Sequence, residues 1–224
     1  RFIQTGIMKT PELSVFEAQK EVQSFGERMQ RMFGMVCELL DEKDKSKAEK
    51  LAARIEKYES IADNMEIEIA KYLDSVSNAH LSDETKGKIR SMLRQITEIE
   101  SIGDACNNMA HTLVRKGAYK DDFTAKLYEQ VRQMFNLTDM ALSQMVVLLT
   151  GHKDELDVDR SFAIENEINR LRNQLRQQNI NDIDNHEYSY AMGTLYMDLI
   201  QECEKLGDYV VNVVEARMGV RQAG

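Results

Sequence analysis

Two stretches with one spelling carry the acids that could do chemistry in this chain: Glu100-Ser101-Ile102-Gly103-Asp104 and Glu204-Lys205-Leu206-Gly207-Asp208. Each sets two acids four residues apart, and each is followed four residues after its Asp by an amide, Asn108 or Asn212. The register extends backwards, with Ile96 and Glu98 against Ile200 and Glu202, at a constant offset of 104 residues. Such self-similarity over nearly half the chain indicates an internal duplication. On a helix, acids at i and i+4 share nearly one face, so each copy presents a carboxylate pair to whatever packs beside it.

A second acidic row emerges when the preceding helical segments are aligned. Ile168 then falls on Ala62, Glu165 on Glu59 and Asn169 on Asp63, so one segment reads Glu-x-x-x-Asp and its copy Glu-x-x-x-Asn. If neighbouring helices run antiparallel, the first half gathers Glu59, Asp63, Glu100 and Asp104, and the second gathers Glu165, Asn169, Glu204 and Asp208. Clustered carboxylates repel and raise one another's pKa, so a positive charge is expected among them. Oxygen-only ligands suit hard ions such as Mg²⁺, Ca²⁺ or Mn²⁺, with iron as a further choice, divalent or trivalent. Lys57, Arg94, Arg115, Arg170 and Lys205 are the side chains that would neutralise the acids instead.

The elements that must hold these rows are helices. One Pro, no Trp and 13 Met in 224 residues fit long helices, which exclude Pro and use Met to fill irregular gaps. Thr10-Pro11-Glu12 reads as an N-cap, a first-turn proline and an acid at the positive end of a helix running to about Leu40. Ser46 with Glu49 has capping-box spacing for a second helix ending at Ser77, and Ser82 starts a third that Gly117 closes. The second half repeats the plan. A fourth helix follows Asp121 and Asp122 and runs to Thr150, with Gly151-His152-Lys153 as the turn. A fifth runs from about Asp154 to Asn179, and Asp184 with Glu187 caps a sixth. The predicted fold is all-α, six long helices as two tandem antiparallel three-helix bundle repeats, residues 11–117 and 118–224, with 1–10 as a linker from a preceding domain. Gly103 and Gly207 interrupt their helices at equivalent positions, at about 1 kcal/mol each relative to Ala, which implies close packing or room for a ligand.

Several function classes are disfavoured by composition and spacing. A net charge of −9 without a basic block removes the driving force for binding a nucleic-acid backbone. Cys37, Cys106 and Cys203 have no paired spacing and read as free core thiols of a reducing compartment. A carboxylate-bridged metal enzyme of the ferritin type would need Glu-x-x-His pairs, and none of His80, His111, His152 or His186 has a Glu three residues before it. Phosphate loops and nucleophile turns are also missing, so the chain reads as non-enzymatic. The plainest alternative is a helical bundle that only binds other proteins.

The six-helix plan with its Glu-x-x-x-Asp motifs resembles the PhoU family. The opening Thr10-Pro11-Glu12-Leu13 through Glu17-Ala18-Gln19-Lys20-Glu21-Val22 is similar to the segment where bacterial sodium-dependent phosphate cotransporters pass from their membrane domain into a C-terminal PhoU-like domain. The resemblance implies metal ligands at Glu59, Asp63, Glu100 and Asp104 in the first unit and at Glu165, Glu204 and Asp208 in the second, with Asn169 departing from the pattern. It further implies a non-catalytic domain at the cytoplasmic face of the inner membrane that modulates phosphate transport. Its partners would be the membrane domain of the same chain, phosphate and sodium through that domain, and a second copy in a homodimer. The alternative within the family is a free-standing phosphate-signalling regulator that docks on a transporter or sensor kinase.

Overall fold

The structure, a computed structural model, describes residues 10–151 and 157–219. The linker expected over residues 1–10 therefore lies outside the described residues apart from Thr10, as do His152, Lys153 and the expected helix start at Asp154. Six helices follow in order: α1 Pro11–Asp41, α2 Lys45–Ser77, α3 Asp83–Lys116, α4 Ala125–Thr150, α5 Asp159–Asp184 and α6 Tyr190–Met218. Among the described residues there is no strand, and no helix is long and apolar enough to cross a membrane.

Local chemistry accounts for most of the helix ends. Thr10 accepts a hydrogen bond from the Leu13 amide at 3.3 Å, with Pro11 in the first turn. Ser82 caps α3 through the Thr85 amide, and Thr124 caps α4 through the Leu127 amide. Asp83 and Glu84 begin α3 and Arg115 and Lys116 end it, so charge complements the helix dipole at both termini. Two starts differ from expectation. The cap of α2 is Asp44, whose carboxylate accepts from the Lys47 amide at 2.8 Å, rather than Ser46. The Asp184–Glu187 spacing does not start a helix either. Buried Asp182 meets Lys126 of α4 at 2.9 Å and keeps α5 helical to Asp184; the chain then turns at His186 in the left-handed region, and Ser189 caps α6.

Within each half the three helices pack mutually, each antiparallel to the next along the chain: α1, α2 and α3 form one unit, α4, α5 and α6 the other. The halves are joined by α3 against α6 and by α1 against α4. Both junctions are antiparallel. Arg94 and Arg115 of α3 pair with Glu215 and Asp198 of α6 in reverse order, and Asp41 and Gln30 of α1 meet Arg132 and Ser143 of α4 likewise. Apolar seams from all six helices merge into one continuous core, with Phe25, Met29, Phe33, Ile99, Ile102 and Tyr196 fully buried. Phe33 and Phe135 meet edge-to-face at 5.4 Å across the α1–α4 junction.

Cys106 and Cys203 are buried and Cys37 is half-buried, all as free thiols. Burial pushes Cys37 and Cys203 up to about 12, so neither ionises near neutral pH.

Candidate metal centre

The two repeated glycines sit at close approaches between paired helices. A Cβ on Gly103 would stand 3.5 Å from the Ala62 Cβ on α2 and 3.0 Å from the Met29 sulfur on α1, and one on Gly207 would stand 3.3 Å from Ile168 Cδ1 on α5. Close packing, not ligand space, is what they provide. Because Gly103 meets Ala62, the residues that follow each of them, Asp104 and Asp63, come to the open edge of the α2–α3 seam together with Glu59.

Carboxylate oxygens of Glu59, Asp63 and Asp104 lie within 4.8 Å of one another, with Asp63 and Asp104 exposed and Glu59 half-buried. Three acids at this separation, open to solvent on one side, fit a hard cation that keeps some of its waters. Glu100 stands beside them. Its carboxyl is pushed up to about 8, first by burial, then by hydrogen bonding with Asp104, by the charges of Asp104 and Glu66, and by a hydrogen bond with Asp63. Glu59 is also raised, mainly by burial and then by the charges of Asp63, Asp104 and Glu56, against which His111 acts. All four first-unit acids expected from the sequence thus share one locus. A fifth, Glu66, was not among them. It lies one turn beyond Asp63, accepts a hydrogen bond from Thr97 at 3.3 Å and is raised by burial and by the charges of Asp63 and Asp104.

The second unit is built differently at the same place. Asn169 Nδ2 donates to Glu165 Oε1 at 2.5 Å, and Glu165 is buried. Arg172 Nη2 stands 3.7 Å from Glu204 Oε1. Asp208 is raised to about 6, by burial first, then by the charges of Glu204 and Glu165 and a hydrogen bond with Glu165, with Arg172 opposing. Glu165, Glu204 and Asp208 are therefore neighbours, yet a donor and a guanidinium stand among them and they do not form an open three-carboxylate group. Of the cations expected to neutralise the acids, Arg94 pairs with Glu215, Arg115 with Asp198 and Lys205 with Glu202. Arg172, which is not among the five cations named from the sequence, pairs with Glu204 of the second cluster, and the Lys205 charge also acts on Glu204. Carrying the alignment of α5 on α2 one turn further, to residues 66 and 172, would have found both Arg172 and Glu66.

The paired amides of the repeat also diverge. Asn212 donates to Glu98 at 3.1 Å across the α3–α6 junction, whereas Asn108 lines a cleft of about 460 Å³ with His111, Arg115, Asp198, Glu202 and Lys205.

Residues 22–113, the stretch that supplies α2, α3 and all five first-unit acids, match the PhoU domain family. That stretch is similar to a PhoU domain. Two solved PhoU structures share the fold across nearly the whole described bundle. The phosphate transport system regulatory protein PhoU from Streptococcus pneumoniae superposes with a TM-score of 0.77 at 18% identity, covering 93% of this chain and 95% of that one. PhoU from Pseudomonas aeruginosa gives 0.81 at 12% identity, covering 93% and 97%. No curated protein sequence matches the chain significantly. At these identities the two structures establish a common all-helical PhoU fold, including the second unit beyond residue 113.

Proposed function

We propose that this chain is a non-catalytic PhoU-type regulatory domain that takes up a divalent or trivalent cation through Glu59, Asp63, Glu100 and Asp104 and modulates phosphate transport. The observation that carries the reading is the meeting of Glu59, Asp63 and Asp104 oxygens within 4.8 Å inside the PhoU-matched stretch. When bound, a cation would offset the repulsion among these acids and tie α2 to α3. The protein's own part is to hold the acids at that spacing through the Gly103–Ala62 contact and to leave the outer side open to water.

The setting we propose is the cytoplasmic face of the inner membrane, as a domain of a sodium-dependent phosphate cotransporter. The run from Thr10-Pro11-Glu12-Leu13 into α1 supports it, through its similarity to the corresponding junction in those transporters. The second reading is a free-standing regulator that docks on a transporter or sensor kinase, and the description of the Streptococcus pneumoniae protein as a phosphate transport system regulatory protein supports a regulatory role of that kind. Metal content of purified protein, compared between wild type and a Glu59→Gln, Asp63→Asn, Asp104→Asn variant, tests the cation. Bound Mg, Ca, Mn or Fe in the wild type and its loss in the variant are expected, and equal content in both would refute the ligand assignment. Phosphate uptake by cells expressing the intact gene, with and without residues 11–219, tests the role; unchanged uptake and unchanged regulation would refute it.

A further inference from the structure

Aligned by the internal repeat, the two acidic loci differ at two positions and in sign at one of them. Glu59, Asp63 and Glu66 of α2 correspond to Glu165, Asn169 and Arg172 of α5, and Glu100 and Asp104 of α3 to Glu204 and Asp208 of α6. The correspondence is physical as well as numerical. Glu66 acts electrostatically on Glu100, and Arg172 pairs with Glu204, the counterpart of Glu100. Five acids in the first unit become three acids, an amide and a guanidinium in the second.

We propose that Arg172 is the built-in counter-ion of the second unit, standing where an external cation would otherwise be needed, and that the chain takes up metal through its first unit alone. This rests on the reading of the first-unit acids as a cation site. The side-chain partners support it. In the first unit, carboxylate oxygens of Glu59, Asp63 and Asp104 lie within 4.8 Å of one another. In the second, Glu165 accepts from Asn169 at 2.5 Å, Glu204 has Arg172 at 3.7 Å, and Arg172 also acts on Asp208. A guanidinium stays charged throughout the physiological pH range, and it is tethered. Its effective concentration at Glu204 is on the order of millimolar or higher, so a free divalent ion must displace it as well as shed water. The Arg172 Nε and the Asn169 Oδ1 are buried without partners. The consequence is functional asymmetry: cohesion of α2 with α3 depends on cation supply, while cohesion of α5 with α6 is constitutive.

Mn²⁺ binding followed by electron paramagnetic resonance tests this in intact chains. Wild type is expected to show a single class of sites, lost in Glu59→Gln, Asp63→Asn, Asp104→Asn. Adding Asn169→Asp and Arg172→Glu to that triple variant restores the first unit's charge pattern in the second and is expected to recover Mn²⁺ binding. Recovery in this background does not depend on the first-unit site; equal binding by wild type and the triple variant, left unchanged by Glu204→Gln, Asp208→Asn, would overturn the first-unit reading and the one-site claim that rests on it. Residual Mn²⁺ in the triple variant that disappears on Glu204→Gln, Asp208→Asn would overturn the proposal. So would no recovery in a five-substitution protein of wild-type helicity. Should that protein fail to fold, Arg172→Met in the triple background serves instead. There, Mn²⁺ at about tenfold over its Kd should raise Tm by about 3 °C or more, where the Arg172 parent shows no shift; no shift in either would overturn the proposal.

Discussion

At the scale of single residues, the carboxylate with the largest shift is Glu100. Its pKa in the fold is about 8 against an ordinary 4.5, because it is partly buried and shares hydrogen bonds with Asp104 and Asp63. The folded chain therefore holds a proton there that the unfolded chain has lost. Stability linked to that proton is fully present below about pH 4.5 and is lost as pH rises through about 8. In cation-free protein, wild type should lose Tm relative to Glu100→Gln between pH 5 and 8, and parallel melts of the two proteins across that range would contradict it. Cation binding should strengthen over the same interval, since the ligands must be deprotonated.

At the scale of elements, helix pairing depends on a few positions with no room for a side chain. Gly193 of α6 is the tightest: a Cβ there would lie 2.5 Å from Ile183 Cδ1 and 3.0 Å from Asn179 Oδ1 of α5. Asn179 is buried, accepts from the Tyr188 hydroxyl at 2.7 Å and donates to the Gly193 carbonyl at 3.3 Å, so it cannot move aside without breaking both bonds. Gly193→Ala should cost about 1–3 kcal/mol in chemical denaturation despite its better helix propensity. Gly103→Ala meets the flexible Met29 side chain at 3.0 Å, and there the overpacking and propensity terms are closer to balance. A loss at Gly103 equal to that at Gly193 would contradict this ordering.

At the scale of the whole molecule, the two units share one core, so neither half closes its own apolar surface. Phe33 is fully buried where α1 of one unit meets Phe135 on α4 of the other. Phe33→Ala should cost about 3–5 kcal/mol, and should lower one common unfolding transition rather than split it in two. Calorimetry that resolved separate transitions for the halves in wild type would refute this coupling.

Much of this architecture was legible in the chain alone. The 3.6-residue apolar period, the near absence of proline and the repeat at offsets of 104 and 106 together determined six helices in two related units and the paired acidic rows, because periodicity and capping are local properties of sequence. The weakened row at Asn169 was also legible. Two caps were not: Asp44 displaced Ser46 at α2, and the tie between Asp182 and Lys126 carried α5 past its expected end, since a contact made 56 residues away outweighs local spacing. Only the tertiary structure decided that Gly103 and Gly207 serve packing, that Glu66 joins the first acidic locus, and that Arg172, outside the five cations named from the sequence, pairs with Glu204 at the second. Which face of a helix is apolar follows from its own residues. Which side chains meet across two helices depends on how their surfaces interlock, and that register is set only when the whole core packs.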